Sequence, residues 1–183
     1  MAFARVGDQK VLKHGETSAY AAAYGRLLCR EEMVSESVTA PWCLTKRVLP
    51  QHTDHAGVMW HGVYVAWLEE ARVEALSAAG LSYAVMAGEG LEMPVVSLRI
   101  DYRQALRHGD EVVLESSCEA RRGVRWPWTT RFLLGEAVMA EAVVELVMLR
   151  RAEEGGVVLR RVPQEVQAVI ACLQEGEQEQ PPA

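Results

Sequence analysis

With 183 residues, half of them hydrophobic, the chain can bury one sizeable core but is short for two domains. Its 19 Lys and Arg against 25 Asp and Glu leave a net charge of −6, without the basic excess that nucleic-acid binding needs against the phosphate field. The cysteines, Cys29, Cys43, Cys118 and Cys172, form no Cys-x-x-Cys pair and no zinc-spaced set with histidine, so they read as buried thiols in a reducing compartment.

No apolar h-region follows the opening Met-Ala-Phe-Ala-Arg-Val-Gly-Asp, and no apolar run approaches the roughly 18 residues of a membrane span. A soluble cytoplasmic protein without membrane or nucleic-acid partners is expected. Residues 1–41 read as an extension, helical in part. Glu16 to Met33 is Ala-rich, with Thr17 or Ser18 as N-caps and Tyr20, Tyr24, Leu27 and Leu28 at helical spacing. Pro41 marks the entry to the main domain, residues 42–162.

That domain begins with a short strand, Cys43 to Pro50, stopped by its proline. A loop containing Gly57 leads into a helix from about His61 to Ala79. This helix carries Tyr64, Trp67, Leu68, Ala71, Ala75 and Leu76 on one side and Glu70, Glu74 and Ser77 on another, and Gly80 ends it. After a short piece around Tyr83 to Ala87 come strand-like runs at Met93 to Tyr102, Asp110 to Ala120, Val124 to Leu134 and Ala137 to Arg150. Turn signals at His108-Gly109-Asp110, Arg122-Gly123 and Gly135-Glu136 separate them. A last run, Val157 to Val162, follows Glu153-Glu154-Gly155-Gly156. Strand, helix and antiparallel meander make an α+β fold. The run Ala137 to Leu149 is apolar on both sides for most of its length, so its second face is expected to lie against a second copy of the chain. Residues 163–183 open at Pro163 with a helix placing Val166, Val169, Ile170 and Leu173 on one stripe, then end in an acidic tail that reads as disordered.

The chemistry concentrates in the run from His52 to Arg72. Asp54 stands in a glycine-containing turn just upstream of a strong helix, so a carboxylate and a row of free helix N–H groups converge, a device for hydrolysing an activated carbonyl. Asp is also a common turn or helix cap, and that reading stands beside the catalytic one.

The series Thr53-Asp54-x-Ala-Gly-Val-x-Trp-His61, with Tyr64 and Leu68-Glu69-x-Ala-Arg72 behind it, resembles the signature of hotdog-fold acyl-CoA thioesterases of the 4-hydroxybenzoyl-CoA thioesterase type. The resemblance runs from about Cys43 to Val162 and implies a hotdog fold, an antiparallel sheet wrapped around a central helix. It also implies hydrolysis of an acyl-CoA to free acid and CoA, with no cofactor beyond the CoA of the substrate and no metal. The working unit it implies is a homodimer or homotetramer with sites between subunits. Asp54 matches the catalytic carboxylate, which attacks the thioester carbonyl to give a mixed anhydride or deprotonates a water. The amides of His61 and Gly62 then serve as oxyanion donors. Thr53, Trp60, Val63 and Tyr64 surround an aromatic or medium-chain acyl group, or Trp60, Tyr64 and Met59 are plain core. Arg121, Arg122 and Arg125 offer planar forks to the CoA phosphates, or form an ordinary solvated turn.

Four positions depart from that pattern. His52 stands where an acidic residue is usual and His55 where a small residue or proline is. Val63 replaces a frequent Asn, and Ala105 a common proline. His52 and His55 around Asp54 raise the idea of a metal, but adjacent residues on a tight loop rarely bind one ion with good geometry. A second branch of the superfamily uses a helix carboxylate after a His-Gly-Gly onset, which makes Glu70 a rival for Asp54. Glu69 and Arg72 are expected to pair at i and i+3. A dehydratase or isomerase acting on acyl thioesters, and a non-catalytic acyl-CoA or acyl-carrier binding module, remain as alternatives.

Overall fold

The computed structural model describes residues 41–152 and 155–175. The expected helix from Glu16 to Met33, the Glu153-Glu154 pair and the acidic tail beyond Glu175 lie outside them. The described chain forms β1 (Trp42–Arg47), a 3-10 turn (Pro50–His52), α1 (His61–Ala78), α2 (Tyr83–Gly88), β2 (Leu91–Glu92), β3 (Val95–Tyr102), β4 (Glu111–Cys118), β5 (Arg125–Leu134), β6 (Ala137–Val147), β7 (Leu149–Ala152), β8 (Gly155–Val158) and α3 (Gln164–Glu175). The first strand ends at Arg47, ahead of its proline, and Pro50 instead opens the 3-10 turn, where its fixed φ suits the first position. Two expected strands are interrupted. Pro94 separates β2 from β3, and Met148 separates β6 from β7.

Five strands make one antiparallel sheet in the order β1-β4-β5-β6-β3, and β2-β7-β8 make a smaller one. Helix α1 buries Tyr64, Trp67, Leu68, Ala71, Ala75 and Leu76, the side that helical spacing predicts, and adds Val63 and Arg72. Period-2 alternation brings Leu114, Trp128, Phe132, Ala142, Val144 and Leu146 into the same core. Two polar groups inside it are satisfied by each other and by Trp128. Its indole N–H donates to Ser116 Oγ at 2.6 Å, and Ser116 shares a hydrogen bond with Thr130 Oγ1 at 2.7 Å. The Arg72 guanidinium is buried as well, with Nε donating to Tyr83 Oη at 3.2 Å and Nη2 to Glu69, so the expected Glu69–Arg72 pair also ties α2 to α1.

The outer face of the sheet carries charge between its apolar residues. Glu141 and Glu145 point outward from β6 and pair with Arg103 and Arg125, while Arg131 of β5 pairs with Glu115 of β4. Val143, 39% exposed, lies between the two glutamates on the same face. A further exposed apolar row lies along β3, an edge strand whose Leu98, Ile100 and Tyr102 are in register with core residues of β6. Leu98 is 41% and Tyr102 53% exposed, and Val95 and Val96 add to the row.

At the opposite end, α3 packs Val166, Ile170 and Leu173 against α1 and β4, and Gln174 Nε2 donates to the Glu119 carbonyl at 2.7 Å. Burial there pushes the Cys118 thiol up to about 12. An unfolded thiol ionises near 8.5, so the unfolded state loses its proton first. Stability is therefore independent of this group below about pH 8 and falls as pH rises from there toward 12. Urea midpoints at pH 8 and pH 10.5 should show that fall, and Cys118→Ala should diminish it. Burial also raises the Tyr64 and Tyr102 phenols, which contribute in the same direction.

Candidate active site

Between β1 and α1 the chain folds back on itself. The Thr53 amide and Oγ1 both donate to the Pro50 carbonyl, at 3.1 and 2.8 Å, so this hydroxyl is used inside the turn. Thr53 pairs with Met59, and the Asp54 amide donates to the Val58 carbonyl at 2.9 Å, which makes residues 54–58 the tip of a small hairpin. Gly57, at φ +72°, supplies the left-handed residue that the tip requires. Asp54 Oδ1 accepts from the amides of Ala56 at 2.8 Å and Val58 at 3.3 Å. The capping role expected of an aspartate here is real, but it occupies one oxygen. Among the described residues nothing donates to Oδ2, and the side chain is exposed.

The returning arm leads straight into α1. The Trp60 amide donates to the His52 carbonyl at 3.1 Å, and the Val63 amide to the Trp60 carbonyl at 3.0 Å. Those of His61 and Gly62 have no acceptor among the described residues. Trp60 occupies the N-cap position and makes no capping hydrogen bond. A Ser, Thr, Asp or Asn there would add about 1 kcal/mol of helix stability. The helix thus starts with two free donors at the positive end of its dipole and no capping side-chain acceptor bonded to them.

The hairpin is held from behind. The Met59 amide donates to the Leu106 carbonyl at 2.8 Å, Val58 bridges Arg107, and the Val48 amide reaches the Asp110 carbonyl at 2.9 Å. Between this support and the end of β3 lies a cleft of about 280 Å³, lined by Val58, Met59, Tyr64, Tyr102, Arg103, Gln104 and Ala105. The Tyr64 ring meets Tyr102 edge-on, with centroids 5.0 Å apart, and packs against Phe132 on its other side. Tyr64 lines this cleft, Val63 is buried in the core, and Trp60 lies outside the lining. Tyr102, Arg103 and Gln104 were missed by sequence reasoning. The only signal for them was a strand end followed by polar residues, which does not say what it faces.

Other candidate groups are elsewhere. Arg122 pairs with Glu119 at 3.0 Å and Arg125 with Glu145, while Arg121 donates to the carbonyls of Gly123 and Arg160 and lies over the Trp126 ring at 5.4 Å. The hairpin is tied to Leu106 and Arg107, just before the start of β4, and these arginines follow its end. Eight residues at about 3.4 Å each put roughly 27 Å of strand between them. Lys46 Nζ binds Glu70 at 2.6 Å on the β1 side of α1, so this carboxylate is already paired. His52 Nδ1 accepts the Leu49 amide at 3.1 Å and its ring stands edge-on to Trp67. His55 is exposed. Among the described residues no three His, Cys, Asp or Glu side chains converge as a metal set.

Residues 56–136 match the family described as "Thioesterase superfamily". The Synechocystis protein named "Putative esterase sll0410" is 34% identical over 141 residues, which cover 76% of this chain and 85% of that one. The chain belongs to the thioesterase superfamily. Another superfamily relative, the "Acyl-CoA thioester hydrolase YbgC" of Escherichia coli, is 28% identical over 102 residues, 56% of this chain and 76% of its own. Among solved structures, a hypothetical protein from Aquifex aeolicus superposes with a TM-score of 0.65 at 25% identity, covering 71% of this chain and 99% of that one. A 1,4-dihydroxy-2-naphthoyl-CoA thioesterase from Synechocystis shares the fold, with a TM-score of 0.63 at 23% identity over 72% of this chain and 96% of its own. The superfamily's hotdog fold, an antiparallel sheet with a helix packed against it, is the fold of this chain.

Proposed function

We propose that this thioesterase-superfamily protein hydrolyses acyl-CoA thioesters to free acid and CoA, with Asp54 as the reacting carboxylate and the amides of His61 and Gly62 as oxyanion donors. The observation that carries this reading is the pair of unpartnered amides at an uncapped helix start, beside a hairpin that fixes one Asp54 oxygen and leaves the other free. In the reaction the thioester carbonyl oxygen takes up charge as a nucleophile adds to its carbon, and both amides gain strength as donors at that moment. Oδ2 either adds itself, giving a mixed anhydride that water then cleaves, or takes a proton from the attacking water. Both routes release CoA as the thiol and the acyl group as the acid. The name of the Escherichia coli relative, an acyl-CoA thioester hydrolase, supports the substrate class.

The cleft beside Tyr64 and Tyr102 holds the acyl group. Its walls of Val58, Met59 and two aromatic rings suit an aromatic or medium-chain chain better than a polar one. No cofactor is needed beyond the CoA of the substrate, and the cytoplasm, where acyl-CoA is made and used, is the compartment that fits. Glu70, bound to Lys46, is a structural pair, and Glu70→Gln should hydrolyse benzoyl-CoA at a rate of the wild-type order.

The exposed β3 edge joins two copies of the chain. Antiparallel pairing of β3 with its symmetry mate sets the end of one strand, at Tyr102 and the cleft, beside the start of the other. The β4–β5 turn with Arg121, Arg122 and Arg125 lies at that same end of the partner, two strands further on. A CoA in the cleft of one copy then extends toward the arginines of the other, which removes the 27 Å separation within a single subunit. Identification of the products tests the reading against its rivals. Equimolar free acid and CoA thiol are expected from benzoyl-CoA or hexanoyl-CoA. Double-bond isomers or a hydrated acyl-CoA from unsaturated acyl-CoAs would instead assign an isomerase or hydratase, and an unchanged thioester a binding module.

A further inference from the structure

Trp60 neither enters the core nor lines the cleft, and its side chain is 44% exposed, an uncommon setting for the largest amino acid. The ring is nevertheless held. The indole lies across the first turn of α1, with the His61 ring edge-on to it at 5.4 Å, and its six-membered ring fills the space where a side chain on Gly62 would begin. Cζ3 and Cη2 are the atoms that an added Cβ would strike. A Cβ is one bond from Cα and two from the amide nitrogen, so a ring in that place lies beside the Gly62 amide. That amide is one of the two free donors of the site.

We propose that Trp60 gates these donors and thereby sets acyl specificity. In the position described, the indole covers the Gly62 side of the first turn, and it has to rotate outward before an acyl oxygen can approach. Gly62 is required as the resting place of the ring, since any side chain there holds the ring out. A short acyl group meets the opening free energy with nothing to offset it. A planar or longer acyl group stacks on the displaced indole and recovers the lost contact. Trp60 therefore disfavours short acyl thioesters. What passes the gate rests on the thioesterase reading above, whereas the contact between ring and glycine does not.

Protein labelled with 5-fluorotryptophan tests this by fluorine NMR. It carries five tryptophans, and the Trp60 signal is the one lost in Trp60→Phe. Gly62→Ala should move that signal toward the free amino acid and leave the other four in place. Titration with phenacyl-CoA, a thioether that keeps a carbonyl and resists hydrolysis, should move the same signal. In kinetics, Trp60→Ala should lower KM for acetyl-CoA about fivefold at unchanged kcat, because a closed gate reduces apparent affinity by the open fraction. The change for benzoyl-CoA should be smaller. A Trp60 signal that stays put in Gly62→Ala, or under phenacyl-CoA, overturns the proposal, as does an unchanged or higher KM for acetyl-CoA. If the wild-type protein hydrolyses no acyl-CoA, the thioesterase reading fails, and the Gly62→Ala spectrum still decides the contact.

Discussion

Asp54→Asn is expected to reduce thioester hydrolysis by about 10²–10⁴-fold, the range for removing a positioned base, while leaving the fold and its melting temperature in place. The two halves of that result come from different oxygens. Oδ1 accepts from the amides of Ala56 and Val58, and the carbonyl of an asparagine accepts from them equally well. The hairpin therefore survives, with Thr53 still opposite Met59 and the helix start still held by the His52 carbonyl. What is lost is the charge and the lone pairs on the second oxygen, which no neighbour among the described residues engages. A neutral amide neither adds to a thioester carbonyl nor takes a proton from water. Initial rates on benzoyl-CoA together with a thermal melt check both halves. A variant that folds as well as the parent and keeps its rate would remove Asp54 from the chemistry and direct attention to Glu70.

The second large effect is expected on the β3 edge. Leu98→Glu should turn a dimer into a monomer by light scattering and lower kcat/KM by about 10²-fold, the loss that displacement of a substrate-positioning group produces. Leu98 is near the middle of β3, so two-fold pairing along that edge sets both copies of the residue close to the axis, where two like charges oppose each other. The side chain is already 41% exposed in the subunit, so the subunit itself should tolerate the change, and circular dichroism should be that of the parent. Long apolar edges are rare on monomers because their free N–H and C=O groups recruit other strands. Retention of the dimer in Leu98→Glu would place the interface elsewhere. A fully active monomer would mean that each site is complete within one chain.

How much of this is visible in the sequence depends on whether local pattern or distant contact decides a feature. The α1 helix is legible because its apolar side recurs at helical spacing from Tyr64 to Leu76, and the buried set matches it. The turns at Gly109, Gly123 and Gly135 are legible because each adopts positive φ. Asp54, His61 and Gly62 stand out because a hairpin tip and a helix start are local events. The outer face of β6 is less legible because alternation counts only its own strand. Glu141 and Glu145 appear as isolated charges among valines and alanines until Arg103 and Arg125 arrive from other segments. The cleft is hidden for the same reason. Tyr102, Arg103 and Gln104 reach it through the pairing of β3 with β6, which sequence does not specify. Val63 faces the core, because its position on the helix turns it inward.

The central claim is that two free amides and one free carboxylate oxygen together cleave a thioester. Release of thiol from benzoyl-CoA and hexanoyl-CoA by the purified protein, followed at saturating and subsaturating substrate, tests it most directly. Saturable release of one thiol per acyl group, lost in Asp54→Asn, is the result predicted. Absence of release across acyl chains from acetyl to benzoyl and decanoyl, from a folded dimeric protein, would contradict it.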